Sequence, residues 1–123
     1  MAEVVRLIHP EDRVAGTPTN GMVREEAIST DHMWAGVAAT EPGMVSDWHN
    51  HGTYESTIYV QAGGLRMEFG PGGADVLDAG PGDFLYVAPH AVHREGNPTD
   101  VEARIVVVRS GSGEPVFNVG GPG

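Results

Sequence analysis

Gly-Met-Val-Ser-Asp-Trp-His-Asn-His-Gly-Thr-Tyr-Glu-Ser-Thr-Ile-Tyr-Val-Gln-Ala-Gly, residues 43–63, sets three good metal ligands, His49, His51 and Glu55, within seven positions. Successive side chains of a strand alternate between its faces, so two histidines at i and i+2 share one face. Gly52 breaks that strand and Glu55 opens the next, which reads as a hairpin with its ligands near the turn. A further imidazole, His93, follows in a second apolar stretch. Three imidazoles and a carboxylate drawn from these places can surround one divalent ion without backbone strain. An octahedral ion held by four such ligands keeps two positions open for water, oxygen or substrate. Purely structural zinc sites are more often closed by four ligands, commonly thiolates, and the chain has no cysteine.

Outward from this stretch the chain reads as short strands parted by turns. Candidate strands lie at 4–8, 22–28, 32–40, 44–51, 55–61, 65–69, 74–79, 84–87, 103–109 and 116–119. Turn signals such as Glu-Pro-Gly, Gly-Pro-Gly-Gly and Asn-Pro-Thr-Asp recur about every ten residues, the spacing of a sandwich or closed barrel. The strongest β signal is the Ile-Val-Val-Val run at 105–108, and residues 84–87 read as a buried strand. No stretch carries a convincing 3.6-residue period, so the expected class is all-β, one domain over residues 1–123 with a fraying tail at about 120–123.

Alternation also assigns faces. In residues 32–40, Met33, Ala35, Val37 and Ala39 read as the inner set. Thr57, Tyr59 and Gln61 share the parity of Glu55 and are expected to line the cavity, with Tyr59 the best proton donor among them. His90, three before His93, is a second candidate acid or base at the pocket mouth, although its parity opposes that of His93 and favours a turn. Asp47 shares parity with His49 and is a candidate to orient a ligand imidazole, or else a carboxylate on the rim.

Composition excludes several classes. Seventeen acidic residues against seven basic ones give a net charge of -10, which repels nucleic acid and anionic membrane. All seven basic residues are arginine, so there is no Schiff-base amine and no phosphate-loop lysine. The absence of cysteine removes disulfides and thiolate nucleophiles and is compatible with a reducing cytoplasm, the expected location. The first twenty residues lack the apolar core of a signal peptide, and no run is long enough to span a membrane. Arg66 and Arg94 have outward parity, which predicts an apolar interior poorly suited to phosphates.

Two spaced motifs resemble those of the cupins. The first cupin motif runs Gly, five residues, His-x-His, three or four residues, Glu, six residues, Gly. Gly43, His49, His51 and Glu55 match it, while Ala62 stands at the closing glycine and Gly63 follows one late. The second runs Gly, five residues, Pro-x-Gly, two residues, His, three residues, Asn. Gly82, His93 and Asn97 match, with Ala88 and His90 in place of the proline and second glycine. The wording Glu-Ser-Thr-Ile-Tyr-Val is similar to that of small bacterial single-domain, RmlC-like cupins. The resemblance, over residues 43–97, implies a jelly-roll barrel of two packed antiparallel sheets and one metal ion on His49, His51, Glu55 and His93.

Function is expected to follow the ion. An Fe or Mn oxygenase acting on a small organic molecule is the first expectation, with Ni, Zn, Cu and Co permitted by the same ligand types. A metal-dependent isomerase, epimerase or cyclase using Tyr59 or His90 is the second, and a non-catalytic binding or sensing module the third. A homodimer is expected, docked through residues 4–8 as an edge strand.

Overall fold

In the computed structural model, which describes residues 4–123, the Ile-Val-Val-Val run lies inside the larger of two antiparallel sheets. The strands are β1 (Val14–Ala15), β2 (Val23–Ser29), β3 (Met33–Thr40), β4 (His49–Asn50), β5 (Glu55–Ala62) and β6 (Leu65–Phe69). They continue as β7 (Asp75–Ala79), β8 (Phe84–Val87), β9 (His93–Gly96), β10 (Ala103–Ser110) and β11 (Phe117–Asn118). The larger sheet has the order β1-β2-β3-β10-β5-β8 and the smaller β11-β4-β9-β6-β7. Their inner faces pack Trp34, Ile58, Val60, Ile105 and Val107 against Leu65 and Met67, a jelly roll of two packed sheets. Among the described residues no helix is long and apolar enough to cross a membrane.

Several local expectations change. Residues 4–8 form no strand, and Val4, Val5 and Leu7 stand exposed. Of residues 44–51 only His49–Asn50 is strand, because Val45 makes a single bridge to Gly96 and the chain between bends. The stretch ending at His93 continues as β9, a strand to which the sequence assigned no bounds.

Faces change too. On β3 the buried set is Trp34, Gly36, Ala38 and Thr40, opposite to the expected one. The large indole decides: Trp34 gains a hydrogen bond from its ring nitrogen to Glu26 Oε1 (2.8 Å) while its apolar rings join the core. On β5, Ser56, Ile58 and Val60 point inward and Glu55, Thr57, Tyr59 and Gln61 outward, because the turn at 52–54 resets the phase carried by His49 and His51. Burial of Ile58 and Val60 outweighs any preference of Tyr59 for the interior. On β8 only Val87 is buried outright, while Phe84 and Tyr86 are 68 % and 65 % exposed.

The glycine that follows one position late has a counterpart in the sheet. Arg104 pairs with Ala62 and Ile105 with Val60, so Gln61 is one extra residue on β5, a β-bulge. Gly63 then turns at φ +71°, and a Cβ there would lie 2.7 Å from Ala103 Cα.

Gly36 is required for another reason. It sits between β2 and β10 under the Trp34 rings, and a Cβ would lie 2.2 Å from Glu25 O and 2.6 Å from the indole. Gly36→Ala is expected to cost about 1–3 kcal/mol through forced displacement of the sheet or the indole. A urea midpoint equal to that of the parent would show that the barrel yields there without strain.

Candidate metal centre

β4 and β9 are neighbours, and His49 lies directly across from His93. His51 follows β4 by one residue, and Glu95 shares the inner face of β9 with His93. One ligand atom from each of His49, His51, His93 and Glu95 falls within 4.8 Å of the others. All four residues are at most 3 % exposed. Backbone bonds set the position of Glu95: its N–H donates to Ser46 Oγ at 2.9 Å, and its carbonyl accepts the Ser46 N–H at 2.8 Å. Beyond β9, buried Asn97 donates to the carbonyls of Thr40 and Val101 and accepts from Thr99, which explains the asparagine closing the second motif.

Each imidazole faces a backbone carbonyl with Nδ1: His49 at Asp47 O (2.8 Å), His51 at Pro115 O (2.7 Å) and His93 at Ala91 O (2.9 Å). A carbonyl only accepts, so Nδ1 carries the proton and Nε2 presents a lone pair to the interior. His93 Nε2 lies 3.3 Å and His49 Nε2 3.7 Å from Glu95 Oε1, so lone pairs meet a carboxylate oxygen. His49 Nε2, His93 Nε2 and Glu95 Oε2 are buried with no hydrogen-bond partner. Converging acceptors with no donor among them are stable only with a cation, and this donor set, three imidazole nitrogens and a carboxylate, suits a divalent transition metal.

The electrostatics agree. Burial pushes the His49 and His51 pKa values down, His51 to about 2, with Arg109 the next cause there, so these rings are neutral ligands at physiological pH. Beside the cluster is a cavity of about 230 Å³ walled by Met67, Phe69, Leu77, Leu85, Val87 and Ala91, with His93 reaching its edge.

Three of the expected ligands, His49, His51 and His93, thus come together, and Glu55 does not. It begins β5 facing solvent and accepts a hydrogen bond from the Tyr86 hydroxyl at 2.8 Å. The late glycine was the signal: with the four-residue spacing that the cupin pattern also allows, Gly63 falls in register and position 56 is the carboxylate's place. That residue is Ser56, buried on the inner face, and Glu95 supplies the carboxylate from β9 instead.

Neither candidate acid or base reaches the cluster. Tyr59 lies on the outer face, its ring 5.0 Å from that of Phe84. His90 is exposed in a turn at φ +62°, its N–H bonded to Gly52 O at 2.7 Å, as its opposing parity foretold. Asp47 orients His49 through its carbonyl, while its side chain is exposed.

Neutral buried histidines tie stability to pH. Below 6.5 the unfolded chain takes up a proton at His51 that the folded chain refuses, so stability falls with pH through that window. In chelator-treated protein His51 alone is expected to remove about 1.4 kcal/mol between pH 7.5 and 5.5. The urea midpoint should drop accordingly and His51→Asn should make the profile shallower by that share; a flat profile in the parent would mean that His51 is protonated while folded.

A family profile described as Cupin domain matches residues 36–109. No curated protein sequence matches the chain. Among solved structures, an uncharacterised conserved protein with a double-stranded β-helix domain from Klebsiella pneumoniae superposes with a TM-score of 0.72 at 22 % identity, covering 85 % of this chain and 90 % of that one. The polyketide cyclase RemF from Streptomyces resistomycificus superposes with a TM-score of 0.75 at 20 % identity, covering 95 % and 87 %. Oxalate decarboxylase from Bacillus subtilis, an enzyme with Mn(II) centres, superposes with a TM-score of 0.72 at 19 % identity, and the match covers 85 % of this chain and 29 % of that one. The profile match runs from within β3 to the end of β10 and takes in all four members of the cluster, and on that match the protein belongs to the cupin family.

Proposed function

We propose that the protein is a metal-dependent enzyme of the non-haem type acting on a small organic molecule held in the apolar cavity beside His93. The observation that carries this reading is the convergence of buried, unpartnered acceptors on one point. His49, His51, His93 and Glu95 would hold the ion, Fe or Mn in first place. Such an ion supplies Lewis-acid activation and, as Fe or Mn, access to oxygen chemistry. The three Nδ1 bonds orient the imidazoles, and the apolar walls bind the substrate's body and exclude water. Tyr59 and His90 lie outside this cavity, and the Tyr86 hydroxyl at its rim is committed to Glu55. With no free proton-shuttling side chain among the described residues that line this cavity, oxygenase-type chemistry is favoured over isomerisation. The fold likeness to a polyketide cyclase of similar length supports cyclisation as the second reading.

Two copies are proposed to pair through the larger sheet, where Phe84 and Tyr86 stand exposed on the terminal strand β8 and the apolar arm of Val4, Val5 and Leu7 lies uncovered. Light scattering is expected to give the mass of two chains.

Metal content separates the ligand sets. Elemental analysis should find one transition metal per chain, at least about tenfold less in His93→Ala and Glu95→Gln, and no change in Glu55→Gln. Loss of metal in Glu55→Gln with retention in Glu95→Gln would overturn the assignment. For the reaction, substrate turnover should stop when oxygen is removed; turnover unchanged under anaerobic conditions would move the assignment to the cyclase reading.

A further inference from the structure

Arg109 and Ser56 stand side by side inside the barrel with nothing to bond. They are direct partners across β10 and β5, and the same inward row continues to Trp34 on β3 and Val87 on β8. Each is 2 % exposed, yet Arg109 Nε, Arg109 Nη1 and Ser56 Oγ have no hydrogen-bond partner. The guanidinium lies over the Trp34 ring at 4.4 Å, a contact that leaves its N–H groups unused. The other buried arginine differs: Arg24 donates to Thr17 O and Thr19 Oγ1 and contacts Met22 Sδ.

Charge points the same way. Among the described residues the interior holds two guanidinium groups against one carboxylate, Glu95, a positive excess before any divalent ion is counted. Buried charge without a partner is costly, so the missing group is an anion. The Arg109 charge acts on His51 and Glu95 acts on Arg109, and Arg109 and Glu95 line one small cavity, which puts the guanidinium beside the cluster. Arg24, Glu95 and Arg109 also border a cavity of about 10 Å³, room for one oxygen atom. At the other end of the row, Val87 lines the apolar cavity that His93 also borders.

We propose that Arg109 and Ser56 are the anion-recognising pair of the site, and that its ligand is a small carboxylate whose apolar body fills the cavity along Val87, Leu85 and Phe69. Arginine is the side chain best suited to a carboxylate, and the serine hydroxyl adds a donor at its flank. The inference rests on the apolar cavity being the substrate site, and not on which metal or reaction is involved.

Hexanoate and hexanamide share an apolar body and differ in charge, so calorimetric titration of both into the protein, as purified and after chelation, tests the pair. Elemental analysis of each sample accompanies the titrations. Hexanoate is expected to bind at least about tenfold more tightly than hexanamide in both samples. Arg109→Gln should abolish that preference with metal content unchanged, Arg109→Lys should restore part of it, and Ser56→Ala should weaken hexanoate alone. Equal affinity for the two probes, no binding of either, or a preference that vanishes on chelation would overturn the inference. So would a preference that survives in folded Arg109→Gln. Should Arg109→Gln fail to fold, the unmodified protein and Ser56→Ala still decide. Absence of metal with the preference intact would refute the metal reading alone.

Discussion

Three hydrogen bonds from imidazole Nδ1–H groups to main-chain carbonyls are the constraint on which the interior depends. Without them each ring could turn about its side-chain bonds or exchange its proton, and no common point for the Nε2 atoms would exist. Each carbonyl belongs to a different part of the fold. Asp47 lies in the bent entry to β4, Ala91 in the turn before β9, and Pro115 in the segment leading to β11. The last is tied down by further contacts: Tyr54 Oη donates to Gly113 O at 3.1 Å, and β11 pairs with β4. The C-terminal segment is therefore part of the site's framework, since His51 takes its orientation from it.

A second consequence concerns charge. The chain is strongly acidic as a whole, but its described acidic residues are mostly exposed, while the buried charged residues among those described are Arg24, Arg109 and Glu95. Net charge governs what approaches from solution; the interior set governs what is stable inside. The expectation of an apolar, anion-averse barrel looked for arginines at Arg66 and Arg94, which do face outward, Arg66 to Asp78 and Arg94 to Glu68 and Trp48. The inward arginines were equally open to a parity argument. Arg109 follows Ile105 and Val107 at two-residue spacing, so burying that strand's apolar face carries the guanidinium inward with it.

Much of the fold was legible because its signals are local. Turn chemistry and β-branched runs placed nearly every long strand, and two spaced motifs placed three histidines. What stayed hidden depended on phase across a break. The turn at Gly52, Thr53 and Tyr54 joins two strands of different sheets, and the expected inward row of Thr57, Tyr59 and Gln61 took its face from Glu55 as a ligand; with Glu55 turned to solvent, the whole row faces outward. The same limit applied to β3, where the alternative faces were both largely apolar and the choice was made by Trp34 packing over Gly36 against residues far away in sequence.

The exchange of carboxylates links the two halves of the interior. With Glu95 on β9, the ligand set is drawn from the smaller sheet and the residue that follows β4, which leaves the inward slot of β5 at position 56 free. A carboxylate in that slot would be the direct cross-strand partner of Arg109 and would neutralise it. Serine there cannot, and Glu95 is already shared with the imidazoles and lies within reach of both arginines. Placing the acid on β9 thus keeps a cluster of three imidazoles and one carboxylate, and at the same time leaves a guanidinium without a counter-ion at its side. With serine at position 56, Arg109 Nε and Nη1 find no acceptor in their own row.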